Sequence, residues 1–103
     1  MTSTGLLHVA MPADFESAKD TGFYSPPSLD AEGFIHCCLP EQLDGVLQRY
    51  FSTVKNYLLV EIDVAQLSET LQPIYENTIG GEELFPHVYG RIPFAAMKVL
   101  GNL

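Results

Sequence analysis

The sequence predicts an α+β fold: a small, split, mostly antiparallel β-sheet with two main helices. Three observations predict it. Apolar runs at residues 5–10, 34–38 and 57–63 read as short strands. Helical spacing appears twice, after Pro12 and after Pro40. Beyond residue 63 the chain holds only short strand-like runs broken by proline and glycine, so its second half adds strands rather than crossover helices.

Each element follows from local chemistry. In residues 5–10, Leu7 and Val9 share one face of a strand, Leu6 and His8 the other. Pro12 suits the first helical position, and Asp14 and Glu16 favour the helix N-terminus. Met11, Phe15 and Ala18 then recur at helical spacing, and Gly22 is the stop signal. Tyr24 to Gly33 carries two prolines and ends on a glycine, so an irregular, binding-type loop is expected. Residues 34–38 put Phe34, His36 and Cys38 on one strand face, Ile35 and Cys37 on the other. Pro40 opens the second helix, whose Leu43, Val46, Leu47, Tyr50 and Phe51 form the clearest amphipathic stripe. Gly45 within it costs about 1 kcal/mol against alanine, and close packing on the sheet is the expected compensation. Residues 57–63 form a central strand, and Asp63 caps a short turn through Leu67. Leu71–Glu76, Phe85–Tyr89 and Ala95–Leu100 complete the strand set, with a mobile acidic turn at Gly80-Gly81-Glu82-Glu83.

The chain reads as a single domain over residues 1–103. Its 47% apolar and 17% charged composition is that of a globular protein, not a disordered one. No apolar stretch reaches the 18 or so residues of a membrane span, and no secretion signal is read at the N-terminus. A net charge of −8 with five scattered basic residues argues against a long nucleic acid, whose binding depends on phosphate neutralisation. Cys37 and Cys38 are adjacent, point to opposite faces of a strand and cannot bridge. Reduced thiols and a cytoplasmic location are the expectation.

The candidate chemistry lies in three histidines, each inside an apolar segment: His8, His36 and His87. A half-buried imidazole needs hydrogen-bond partners or a ligand, and three of three invite a shared site. Core histidines are the bland alternative. Tyr89 shares a face with His87 and offers a stacking surface and a hydroxyl; Glu76 ends a strand, where its carboxylate is either an exposed strand-end acid, the simpler reading, or a group facing the same cleft. No HxxxH or CxxC pair supports a metal site, and none is assigned. Cys38 shares a face with His36, but strand spacing leaves the two too far apart for an activated thiolate. Gly80-Gly81 lacks the Lys-Ser/Thr of a phosphate loop.

Gly22-x-Tyr24, Ser28-Leu29, Glu32-Gly33-Phe34-Ile35-His36-Cys37, Gln42 and Phe85-Pro86-His87-Val88-Tyr89-Gly90 together resemble the bacterial domain-of-unknown-function family numbered 952. That resemblance implies an ADP-ribosyltransferase-like split sheet that clasps NAD, nearest to the tRNA 2′-phosphotransferase branch. It implies catalytic roles for His8, His36 and His87, with His8 on the NAD ribose and His36 beside the nicotinamide. It implies NAD contacts from Tyr24, Ser28, Glu76 and Tyr89. The superfamily's late glutamate would fall near His87 or Glu76. Two positions depart from the family pattern: Cys38 replaces the usual serine and Arg91 the usual proline. The phosphotransferase arginines have no match, which with the acidic charge argues against tRNA. The expectation is therefore a small NAD-using transferase or glycohydrolase with a nucleotide-like ligand. A non-catalytic nucleotide- or metabolite-binding module and a structural domain with core histidines are the alternatives.

Overall fold

Strand β1 (Leu6–Ala10) is buried along its whole length, so neighbours must flank both of its edges. A computed structural model describes residues 6–77 and 81–102 and shows how. On one edge β1 pairs antiparallel with β4 (Leu58–Ile62), which pairs in turn with β8 (Met97–Asn102). On the other edge a single bridge joins Leu7 to Cys38 through two backbone hydrogen bonds of 2.8 Å. Cys38 follows β3 (Ile35–His36), which pairs with β6 (Phe85–Val88), itself paired with β5 (Ile74–Glu76). The result is two three-stranded antiparallel sheets joined at one point: a split sheet, as the sequence predicts. A two-stranded ribbon of β2 (Phe23–Tyr24) and β7 (Ile92–Pro93) completes the pairing.

Register explains the split. An antiparallel ladder that pairs Leu7 with Cys38 would next set Val9 opposite His36. The ladder stops instead, and the His36 carbonyl accepts a hydrogen bond from the His8 ring. His8 lies between Leu6 and Ala10 on the face of β1 that enters the core. Leu7 and Val9, on the other face, line a cleft rather than the core.

The first helix, α1 (Pro12–Thr21), follows its predicted span, buries Phe15 and Ala18, and ends at Gly22. The expected loop from Tyr24 to Gly33 is more regular than its prolines imply. Tyr24 belongs to β2, and α2 (Pro27–Glu32) is a six-residue helix. Pro27 sits at the helix start, where a missing N–H costs nothing, and Gly33 at φ 87° closes it with a hydrogen bond to Leu29. Strand β3 is shorter than the expected 34–38 run, because Phe34 turns out of the cap and only Cys38 rejoins a ladder. A 3₁₀ turn, Pro40–Gln42, leads into α3 (Leu43–Tyr50). Close packing at Gly45 does not occur: the residue is exposed, and a Cβ there would meet nothing within 4 Å.

Asp63 caps the next 3₁₀ turn as expected, its Oδ1 accepting from Ala65 N at 3.1 Å. The expected strand at 71–76 begins only at Ile74, after Pro73; Glu69–Leu71 is a 3₁₀ turn. Phe94–Ala96 is likewise a 3₁₀ turn ahead of β8. Gly80 of the acidic turn lies outside the described residues, as does residue 5; Gly81, Glu82 and Glu83 are exposed.

The two glycines of this region test the local argument in opposite directions. Gly33→Ala forces a side chain into left-handed backbone and lowers stability by about 1–2 kcal/mol. Gly45→Ala raises stability by up to about 1 kcal/mol, since it relieves helix entropy in open space. Urea denaturation of both variants reads the two signs.

Candidate functional site

The β3–β6 register sets His36 directly opposite His87, with ring centroids 5.1 Å apart at 84°. His8 reaches the same place from β1. All three imidazoles line a cleft of about 540 Å³ that opens where the two sheets part. Leu7, Val9, Val46, Phe51 and Phe85 give it apolar walls, and Tyr24 and Ser28 also line it.

Hydrogen bonding assigns a different state to each histidine. His8 is 7% exposed, and both ring nitrogens are engaged. A carbonyl oxygen only accepts, so Nδ1–H donates to His36 O at 2.5 Å. Nε2 is then the lone-pair nitrogen and accepts from the Tyr24 hydroxyl at 2.7 Å. Burial pushes the His8 pKa from 6.5 down to about 4, so the ring is neutral at pH 7. Burial also pushes the Tyr24 hydroxyl well above its ordinary range, with the Asp14 charge adding to it. Tyr24 therefore stays a donor.

His87 is 1% exposed and stacks on Phe34 at 4.1 Å and 19°. Its Nδ1–H donates to Glu76 Oε1 at 2.9 Å, and the Tyr89 hydroxyl donates to the same oxygen. These two donors hold the Glu76 carboxyl below the usual carboxylate range. With Nδ1 occupied, Nε2 is the acceptor of the neutral ring and makes no hydrogen bond among the described residues. The ring lines the cleft, and Nε2 is its one nitrogen not already bonded among the described residues. A carboxylate bonded to one imidazole nitrogen fixes the tautomer and the ring's orientation.

His36 is about half exposed and bonds Glu32 Oε1 through Nε2 at 2.8 Å. Phe34 contacts His36, His87 and Tyr89, so one buried ring backs the whole cluster. Gln42, also buried, donates to Leu84 O at 2.8 Å and to Glu83 Oε2 at 3.2 Å while accepting from Leu39 N. It ties the approach to α3 to the segment that leads into β6.

The structure thus gathers His8, His36, His87, Tyr24 and Ser28 along one cleft. Glu76 and Tyr89 do not line it; they stand behind His87. Two lining carboxylates were not singled out from the sequence, Asp14 and Glu32. Asp14 was legible only as a helix-start residue, and Glu32 only as part of a motif. Cys37 and Cys38 are buried free thiols. Burial pushes Cys37 far up and Cys38 up to about 11, so neither is a thiolate at neutral pH. Among the described residues no three His, Cys, Asp or Glu side chains group to hold a metal ion.

A family model described as protein of unknown function (DUF952) matches residues 9–99. The chain belongs to this family. The fold is similar to the crystal structure of protein CC0527 from Caulobacter crescentus, at 24% identity and a TM-score of 0.76. That match covers 95% of this chain and 82% of CC0527. A crystal structure of a CC0527 double mutant matches with the same figures. No curated protein matches the chain. In this DUF952 domain the segment Glu32–Cys37 supplies the end of α2, its glycine cap and β3, and Phe85–Gly90 supplies β6 with Tyr89. These two segments carry the paired histidines His36 and His87, and the first also carries Glu32, the carboxylate that bonds His36.

The depressed pKa of His8 fixes the sign of a pH effect. Between pH 6.5 and about 4 the unfolded chain binds a proton at His8 that the folded chain refuses. Stability from this ring is complete above pH 6.5 and falls as pH drops toward 4, by about 3 kcal/mol in all. His8→Gln removes that titration. The stability gap between wild type and variant, read by urea denaturation, narrows by about 3 kcal/mol from pH 7 to pH 4.

Proposed function

We propose that the cleft binds a nucleotide-like metabolite of the NAD type and displaces its nicotinamide, in the manner of an ADP-ribosyltransferase or NAD glycohydrolase. The observation that carries the reading is the convergence of three imidazoles on one cleft, one of them held by a carboxylate from behind. The split sheet agrees with the ADP-ribosyltransferase-like fold that the sequence resemblance implies. The tRNA 2′-phosphotransferase branch is supported only by the histidine segments. An acidic chain with five basic residues is a poor fit to tRNA.

In this reaction the bond between ribose C1′ and the pyridinium nitrogen breaks, and the bonding pair leaves with neutral nicotinamide. Positive charge builds on the ribose as an oxocarbenium-like centre. Water or another hydroxyl adds at C1′ and loses its proton. His87 Nε2 is the base placed to take that proton, with Glu76 and Tyr89 keeping its tautomer. Glu32 is the lining carboxylate beside His36, placed to stabilise the ribosyl cation. His36 binds alongside it. His8 and Tyr24, satisfied by one another and by backbone, shape the floor and present the Tyr24 ring. Ser28 contributes a hydroxyl at the rim.

One observation favours a second reading, a binding module without turnover. Glu32 is about half exposed, and solvent screens a half-exposed carboxylate at a developing cation. Nicotinamide release from NAD decides between the two. The catalytic reading expects turnover that falls 10²–10⁴-fold in His87→Gln. Calorimetric binding of NAD or ADP-ribose with no nicotinamide released selects the binding module, and turnover untouched in both His36→Ala and His87→Gln contradicts the site.

A further inference from the structure

The charges that line the cleft define its ligand more narrowly. We infer that the group bound between the sheets is a phosphate-free cation of the N-ribosyl pyridinium class, a nucleoside rather than the intact dinucleotide. This rests on the NAD-type reading above and specifies its substrate.

None of the chain's five basic residues, Lys19, Arg49, Lys55, Arg91 and Lys98, lines the cleft. Arg91 instead lies over the Phe23 ring at 4.5 Å, and Lys19 bonds Glu16 on the outer side of α1. The charged side chains that do line it are the carboxylates Asp14 and Glu32. The histidines do not redress the balance. His8 is neutral, and its two nitrogens are spent. His36 is paired with Glu32 and His87 with Glu76, so a proton on either ring only cancels its own carboxylate. Asp14 makes no ion pair among the described residues and itself takes the first turn of α1, where a helix would otherwise favour a bound anion.

A pyridinium nucleoside answers each feature. Its flat cationic ring suits apolar walls with a carboxylate at the margin. Its ribose hydroxyls suit the Ser28 hydroxyl, which leaves His87 Nε2 for the attacking water. A 5′-phosphate would lie only a few bonds from C1′ and would bring negative charge into a cleft whose charged lining side chains are carboxylates, where like charges repel. The reaction is unchanged: the C1′–N bond breaks, its electron pair leaves with the neutral pyridine, and water supplies the hydroxyl while His87 takes the proton.

The test compares nicotinamide riboside, nicotinamide mononucleotide and NAD on the wild-type chain, by calorimetry and by nicotinamide release. The expected result is that the riboside binds, or turns over by kcat/KM, at least tenfold better than either phosphorylated compound. The advantage should shrink in an Asp14→Asn, Glu32→Gln variant and at high salt. NAD or the mononucleotide equal to or better than the riboside would overturn this inference and leave the NAD-type reading standing. Failure of all three compounds would overturn both.

Discussion

One imidazole holds the two halves of this molecule in their relation. His8 leaves β1 on its core face, gives its Nδ1 proton to the His36 carbonyl and takes the Tyr24 hydroxyl proton on Nε2. The first bond replaces the backbone pairing that would have closed β1 onto β3. The second reaches the ribbon of β2 and β7. Remove the ring and a part-buried carbonyl and a buried phenol both lose their partner, the phenol at about 1–3 kcal/mol. An aliphatic residue of similar size could fill the space but could not make either bond. The sheets part where the backbone ladder stops and a side chain takes over, and the cleft occupies that parting.

From this constraint the other two histidines acquire their roles. His36 carries the carbonyl that His8 holds, so its strand is fixed at a single pairing position while its ring stays at the surface. His87 is opposite it in register, buried, stacked on Phe34 and held by Glu76. Three imidazoles of one sequence thus stand in three environments: sealed, backed and open. Only the backed and open rings have nitrogens to offer a ligand. The sealed ring lines the cleft with both nitrogens already bonded, and it sets the site's geometry.

Much of this was legible before any coordinates, where the signals were long or specific. Strand β1, helix α1 with its proline start and glycine stop, and the stripe that became α3 all follow from periodicity. The alternation that put Phe34 with His36 holds in their ring contact, and His87 and Tyr89, placed together in the same way, bond the same Glu76 oxygen. What sequence missed is short or depends on distant partners. A six-residue helix such as α2 gains little from its own hydrogen bonds, and only its cap and its neighbours sustain it. The two-residue strands β2 and β7 exist because each pairs with the other. Gly45 looked like a packing glycine because its helix stripe surrounds it, yet it faces open space. The roles of Asp14 and Glu32 needed the cleft itself. Glu76 was expected in the cleft and stands one layer behind it, because its strand β5 pairs with β6 on the far side from β3.

His8 is a neutral Nδ1–H imidazole that spans the split between the two half-sheets. Long-range ¹H–¹⁵N NMR of the histidine rings between pH 5 and 8 tests it most directly. The account predicts one ring with a protonated Nδ1, an unprotonated Nε2 and shifts that stay fixed across the range. A His8 ring protonated on Nε2 instead, or one that gains its second proton near its ordinary pKa of about 6.5, would contradict it.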